Sequence, residues 1–364
     1  MQNDRRFMAL ALSLGRRGMG RCWPNPAVGC VIVKDGRIVG RGWTQPGGRP
    51  HAEVVALAQA GAAAQGATAY VTLEPCAHYG KTPPCASALI GAGIARVVSA
   101  LQDPDPRVDG GGHKMLQDAG ITVETGVMAD QAALDHQGFL MAHTQARPLL
   151  TLKLAGSFDG RIATASGESQ WITGPEARRQ VHAQRAVHDA VMVGGGTARA
   201  DDPSLTVRGL GMSHQPVRVV CARKLDVPLD GKLAQTARDV PVWLCHGPDA
   251  PDHLRHSWQD LGAQLVEVPV ISGGQLSPLP LLKQLAALGL TRIYCEGGGA
   301  LAASLLSADL VDHLIGFTAG LTIGAEGTPG IGAMGIGRLA EAPRFNLKET
   351  RQIGADILHH WVRA

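Results

Sequence analysis

The chain has 364 residues, of which 45% are hydrophobic and 18% charged, and it carries a formal net charge of +3 at pH 7. That length exceeds one ordinary core and points to two domains, in a composition typical of folded globular chains rather than disordered ones. The small charge and the 4% aromatic content argue against a nucleic-acid surface or an anionic membrane as partner, and no apolar run approaches the ~20 residues needed to span a bilayer. Cys22, Cys30, Cys76, Cys85, Cys221, Cys245 and Cys295 form an odd, dispersed set, which does not suit a disulfide framework. Cys30, Cys245 and Cys295 lie in apolar runs and read as packing residues. A reducing cytoplasm would keep Cys76 and Cys85 as free thiols or thiolates.

Phe7, Leu10, Ala11 and Leu14 follow helical spacing. This reads as an amphipathic first helix; residues 5–12 faintly resemble a twin-arginine export leader, but Arg16-Arg17 closes the short apolar run and no export is expected. Residues 28–33 form an apolar, β-branched run, a buried strand. Asp35-Gly36 tolerates the positive φ of a two-residue hairpin turn, and residues 37–43 return as the second strand. A Gly/Pro loop over 45–50 leads to His51. A helical pattern then runs to Gly61, which puts His51 and Glu53 in a first helical turn, where the helix dipole favours Glu53 as an anion. Residues 69–73 are a strand, Cys76 follows in the loop after it, and Pro83-Pro84 stiffens the approach to Cys85 ahead of a helix over 86–90. Strands at 96–100 and 121–123, a turn-rich loop from Asp103 and helices at 114–119 and 129–141 complete a three-layer α/β/α domain.

His51, Cys76 and Cys85 are zinc ligands by type. A catalytic zinc takes three protein ligands and keeps a fourth position for water, whose pKa it lowers. A carboxylate that is not a ligand, here Glu53, then carries protons. His-x-Glu followed by Pro-Cys-x-x-Cys marks a zinc deaminase. Here the second cysteine comes nine positions after the first, so spacing alone leaves two other readings: cysteines that merely pack, and a structural zinc closed by His78. The string from Pro75 through Cys76-Ala77-His78-Tyr79-Gly80-Lys81-Thr82-Pro83-Pro84 to Cys85 closely resembles the pyrimidine deaminases of riboflavin biosynthesis. Asn25-Pro26-Ala27-Val28-Gly29 resembles the same family's base-contacting loop. The resemblance implies a cytidine-deaminase-like fold, Asn25 on the pyrimidine edge, and His78, Lys81 and Thr82 in the substrate pocket. Thr44 departs from the family, many members of which carry a histidine there.

Residues 142–148 read as a linker, so the division is expected as 1–145 and 146–364. Residues 149–154 open a new sheet, with Lys153 near its end. A helix over 175–186 has proline in its tolerated first turn. Strands end in glycine runs twice, at Gly194-Gly195-Gly196-Thr197 and at Glu296-Gly297-Gly298-Gly299, the second followed by a helix over 300–306. Backbone N–H groups at a helix start can hold a pyrophosphate, but neither run is the G-x-G-x-x-G fingerprint. Further strands are expected at 216–220, 241–245, 264–268, 310–317 and 356–362.

This part resembles the reductase fused to the deaminase in the same family, which implies a dihydrofolate-reductase-like α/β domain using NADPH. Matching positions place Ala155, Trp171, Thr197, Asp201, Gly298, Gly299, Ala300, Leu301, Ala302, Ala303 and Ser304 at the cofactor. They place Lys153, Ser169, Arg185, Leu205, Arg208 and Glu296 at the substrate, with the arginines suited to a ribose phosphate. Lys153 and Glu296 are candidates by type for proton handling. Ala222-Arg223 departs from some relatives, and Arg223 suits a cofactor 2′-phosphate.

The expectation is a bifunctional cytoplasmic enzyme with one zinc per chain. It would deaminate 2,5-diamino-6-(5-phosphoribosylamino)pyrimidin-4(3H)-one and then reduce the ribosyl chain to ribityl with NADPH. The expected partners are this small-molecule substrate and a second copy of the chain, with no nucleic acid and no membrane. The competing readings are a deaminase of a nucleic-acid base, which would bind RNA in a salt-sensitive way, and a zinc-stabilised binding protein, which would unfold without metal.

Overall fold

The computed structural model describes residues 2–80 and 83–364. The chain divides into two compact units, Met1–Ala146 and Arg147–Ala364. The first runs α1 (Gln2–Gly15), β1 (Gly29–Lys34), β2 (Arg37–Trp43), α2 (Ala52–Ala60), β3 (Thr68–Val71), α3 (Cys85–Gly91), β4 (Arg96–Ser99), α4 (Gly111–Asp118), β5 (Thr122–Thr125) and α5 (Ala129–Thr144). Its sheet has the order β2-β1-β3-β4-β5. β1 is antiparallel to β2 and β3, whereas β3, β4 and β5 run parallel. Asp35 and Gly36 both take positive φ, 48° and 72°, as the hairpin requires.

The strict alternation of β1 separates two apolar layers. Cys30 and Ile32 face Ala52, Ala56, Ala86, Leu89 and Leu116 of α2, α3 and α4. Val31 and Val33 face Phe7, Met8, Ala11 and Leu12 of α1 and Ala132 of α5. The result is the expected three-layer sandwich. Two glycines set how closely α2 lies on the sheet. A Cβ on Gly42 would stand 2.1 Å from the Ala52 carbonyl oxygen, and one on Gly40 would stand 2.2 Å from that of Ala56. With alanines facing them, the helix sits flush on β2, and its first turn is held at a fixed height over the sheet edge.

The second unit runs β6 (Leu149–Ser157), β7 (Arg161–Ala163), α6 (Pro175–Ala186), β8 (Ala190–Gly194), α7 (Gly195–Asp201), β9 (Val217–Cys221), α8 (Lys232–Gln235), β10 (Val242–His246), α9 (Asp252–Asp260), β11 (Gln264–Glu267), α10 (Pro278–Ala287), β12 (Arg292–Cys295), α11 (Gly299–Ser307), β13 (His313–Ala319), β14 (Thr328–Pro329), β15 (Phe345–Ile353) and β16 (Asp356–Arg363). Nine strands form one sheet in the order β11-β10-β9-β8-β12-β6-β13-β16-β15. All neighbours are parallel except the final antiparallel pairs of β16 with β13 and β15. Parallel strands buried on both faces read as continuous apolar runs, which is why 190–193 and 241–245 stood out. At the unit's start Arg147 grips Asp312 with two hydrogen bonds of 2.7 and 2.8 Å, both side chains buried, and Asp312 also accepts from the Leu150 N–H at 2.9 Å.

The structure differs from the sequence reading at several places, among them the short unanticipated strands β7 and β14. Residues 142–144 continue α5, so the connection is shorter than expected. Gly195-Gly196-Thr197 is the first turn of α7, where no helix was expected. β15 was not anticipated, because it is solvent-exposed along nearly its whole length and so carries no alternation.

Candidate metal centre and cofactor cavity

Three segments bring the metal-ligand types together. His51 is the residue that starts α2, Cys76 lies in the loop after β3, and Cys85 opens α3. Their ligand atoms all lie within 4.8 Å of one another. His51 Nδ1 is 3.2 Å from Cys85 Sγ and 3.7 Å from Cys76 Sγ, and the Cys85 N–H donates to Cys76 Sγ at 3.2 Å. Tetrahedral zinc, with bonds of about 2.3 Å to sulfur and about 2.0 Å to nitrogen, needs ligand atoms roughly 3.5–3.8 Å apart. The donor set fits zinc in chemistry, and its atoms lie close enough together for one ion to reach all three. Among the described residues no fourth His, Cys, Asp or Glu joins the group. His78 stays outside it, with a buried Nδ1 that has no partner among the described residues.

The electrostatics suit the same purpose. The Cys76 thiol is pulled down by hydrogen bonding from the Cys85 thiol, then from His51 and the Cys85 backbone N–H. Its partner Cys85 is pushed up by that hydrogen bond and by burial. Glu53 is 3% exposed. Burial, and then the charge of Cys76, push its carboxyl up to about 7, so it can both accept and release a proton near neutral pH. The Asn25 side-chain nitrogen lies 3.2 Å from His51 Nε2, placing Asn25 at the rim of the same site. Lys81 and Thr82 lie outside the described residues. Thr44 is buried, and its hydroxyl accepts from the Val28 N–H at 3.0 Å; here it ties the strand ends together.

In the second unit a cavity of about 470 Å³ is lined by Lys153, Ala155, Ser169, Trp171, Arg185, Thr197, Asp201, Leu205, Arg208, Glu296 and Gly298 among others. Eleven residues singled out in the sequence thus meet in one place, although they come from five different segments. Arg185 forks onto Glu296 through Nε and Nη2 and donates from Nη1 to the Thr206 carbonyl at 2.8 Å. Burial would raise Glu296, but Arg185, helped by Lys153, outweighs it and holds the carboxyl down. Burial lowers the Lys153 ammonium, against the opposing pull of Glu296. On the other side Thr197 donates to the Gly297 carbonyl at 3.4 Å, joining the starts of α7 and α11. Of the stretch 298–304 only Gly298 lines the cavity, and Ala302 and Ala303 are buried within α11. Arg223 does not line the cavity; it pairs with Asp249 at 2.6 Å.

The cavity also recruits Arg178, His182 and Lys232, which the sequence reading passed over. Arg178 lies over the Trp171 ring at 4.5 Å, and the Arg208 N–H donates to His182 Nδ1 at 3.2 Å. A signal for them existed. Arg178, His182 and Arg185 recur at helical spacing along α6 and therefore share one face.

A His/Cys/Cys metal site with a buried, proton-carrying glutamate, at helix starts on a mixed sheet, defines the first unit as a zinc-dependent deaminase. Cations around a cavity at two joined helix starts suit a phosphate-bearing ligand in the second. The comparisons agree. Residues 1–101 match the cytidine and deoxycytidylate deaminase zinc-binding region, and residues 148–359 match the RibD C-terminal domain. The riboflavin biosynthesis protein RibD of Escherichia coli is 44% identical over 99% of this chain and 100% of its own length, and that of Aquifex aeolicus is 40% identical over 99% and 98%. Acinetobacter baumannii RibD superposes with a TM-score of 0.89 at 40% identity, covering 100% of this chain and 99% of its own. A diaminohydroxyphosphoribosylaminopyrimidine deaminase/5-amino-6-(5-phosphoribosylamino)uracil reductase from Thermotoga maritima does so with 0.86 at 31% identity, over the same shares. The chain belongs to the RibD family of bifunctional riboflavin-biosynthesis enzymes.

Proposed function

We propose that the two units carry consecutive reactions on one phosphoribosyl pyrimidine. Residues 1–145 deaminate 2,5-diamino-6-(5-phosphoribosylamino)pyrimidin-4(3H)-one at C2, and residues 146–364 reduce the ribosyl chain of the product to ribityl. The observation that carries this reading is the convergence of His51, Cys76 and Cys85 within 4.8 Å beside the buried Glu53. These three residues would hold the zinc, which when bound supplies a Lewis acid that makes water nucleophilic at neutral pH. Glu53 takes a proton from the attacking water and returns one to the leaving amino group, so that ammonia departs. Asn25 and His78 orient the pyrimidine, with Lys81 and Thr82 assigned to the same pocket.

In the second unit NADPH supplies the hydride when bound. Arg185 and Arg208 hold the ribose phosphate, and Ser169 and Leu205 border the sugar. Ala155, Trp171, Thr197, Asp201 and Gly298 hold the cofactor, with the N–H groups at the start of α11 turned to its phosphates. Lys153 and Glu296 line the same cavity, and by residue type we assign them the proton transfer at the ribosyl group, with Arg185 paired to Glu296. The exposed edge strand β15 offers unpaired backbone groups to a second copy, which supports a homodimer; light scattering on the purified chain tests this. Free thiols at the metal centre suit a reducing cytoplasm, and among the described residues no helix is long and apolar enough to cross a membrane.

The test is zinc content together with turnover of the diaminopyrimidinone, with and without NADPH. One zinc per chain, ammonia release, and NADPH oxidation only after deamination are expected. Ammonia release without NADPH oxidation would refute the reductase assignment, and a chain lacking both zinc and ammonia release would refute the deaminase.

A further inference from the structure

Glu74 lies two residues before the Cys76 ligand and takes no part in the chemistry described above. Its side chain is wholly buried, where a carboxylate is costly unless its lone pairs are met. They are met almost entirely by backbone. Oε1 accepts from the N–H groups of Gly112 at 2.9 Å and His113 at 3.1 Å, and Oε2 accepts from those of Gly110 at 3.0 Å and Asp103 at 3.1 Å. The His113 imidazole lies 3.7 Å from Oε2, but burial lowers its pKa and so disfavours its charged form. One side chain thus closes both the turn-rich loop after β4 and the unsatisfied N–H groups at the start of α4.

The clamp bears directly on the ligand. Pro75, between Glu74 and Cys76, has a fixed φ and no N–H, so displacement of Glu74 passes on to Cys76. From the far side, α4 presses on the same loop. A Cβ on Gly112 would stand 1.9 Å from the Pro75 carbonyl oxygen, and one on Gly111 would stand 3.3 Å from Ala77 Cβ. Glutamine in place of Glu74 would turn an NH₂ donor toward two backbone donors, so a neutral isostere cannot keep the clamp closed.

We propose that Glu74 is a positioning residue for the metal centre: by gripping four backbone N–H groups between Asp103 and His113, it fixes the Pro75-Cys76 backbone and hence the place of the Cys76 thiolate. This rests on the assignment of His51, Cys76 and Cys85 as the metal ligands. Removing an outer partner of a metal site typically weakens metal binding about 10–100-fold.

The experiment compares the full-length wild type with Glu74→Gln, Glu74→Asp and a control, Leu12→Ala. Leu12 is buried against the opposite face of the sheet, so its loss lowers the stability of the same unit without touching the clamp. Zinc affinity is measured by chelator competition, and cobalt(II)-loaded protein reports the thiolate-to-metal charge-transfer band. Glu74→Gln is expected to weaken zinc by about 10–100-fold and to shift the cobalt band, with NADPH-dependent reduction of deaminated substrate unchanged. Glu74→Asp, whose shorter carboxylate reaches fewer donors, should fall between. Leu12→Ala should melt earlier with metal affinity and band in place. Wild-type affinity and an unshifted band in Glu74→Gln would overturn the proposal, as would equal shifts in Leu12→Ala. Should Glu74→Gln fail to fold, the same two readouts on Glu74→Asp decide. A wild-type chain that binds neither metal would remove the ligand assignment itself, and the proposal with it.

Discussion

The metal centre of the first unit and the cavity of the second are built on opposite plans. The first takes three ligand atoms from the segment between His51 and Cys85 and holds them within 4.8 Å. The second gathers residues from Lys153 through Gly330 around a space of about 470 Å³. Coordination demands particular atoms at bond distance, so few substitutions are tolerated and the residue types announce themselves. A cavity demands shape, a helix start and a few charges, which many sequences can supply. The two halves of one enzyme should therefore fail in different ways when perturbed.

The largest effect is expected at Glu53. Glu53→Gln should lower ammonia release by about 10²–10⁴-fold, the usual range for a general acid–base group. Zinc content, and reduction of added deaminated product by the same chain, should not change. Loss of both activities together would contradict the separation of the two sites. The mirror-image perturbation is Asp312→Ala, which strands Arg147 in the interior of the second unit. Breaking one side of a buried pair costs about 3–5 kcal/mol, so urea should unfold this unit much earlier while zinc and ammonia release persist.

A smaller change tests how finely the metal site is placed. Gly42→Ala introduces a Cβ 2.1 Å from the Ala52 carbonyl oxygen and must lift the start of α2. Overpacking of this kind costs about 1–3 kcal/mol, and deaminase kcat should fall with reductase kcat unmoved. Acid sharpens the contrast last. In the second unit burial lowers His188 to about 4 and His313 to about 3. The unfolded chain protonates both near pH 6.5 whereas the folded unit does not, so stability is full above that pH. It declines as pH falls toward 4, by about 1.4 kcal/mol per pH unit for each histidine. Denaturant midpoints of the second unit at pH 7 and pH 5 check the sign.

The same contrast explains what was readable in advance. His51, Cys76, Cys85 and Glu53 could be picked out because zinc chemistry restricts which residue types serve, and the structure brings them together. The parallel core strands were visible because burial on both faces makes an apolar run. β15 was hidden because neither face is covered, and α7 because glycine argues for a loop where tertiary contacts impose a helix. Glu74 was invisible for a different reason. It reads as an ordinary charged residue beside a cysteine, and its role exists only because Asp103 and residues 110–113 fold back over it.

The sequence by itself set out the candidate metal ligands, the hairpin at Asp35-Gly36, the amphipathic first helix and the division into two α/β parts, from residue chemistry, periodicity and, for the ligands, a family resemblance. Only the tertiary structure decided that α2 lies flush on Gly40 and Gly42, that Glu74 grips a segment some thirty residues further along the chain, and that Arg178 and His182 join Arg185 around one cavity. Those outcomes depend on distances between segments remote in sequence, and such distances are set by the packing of the whole unit rather than by any stretch of it.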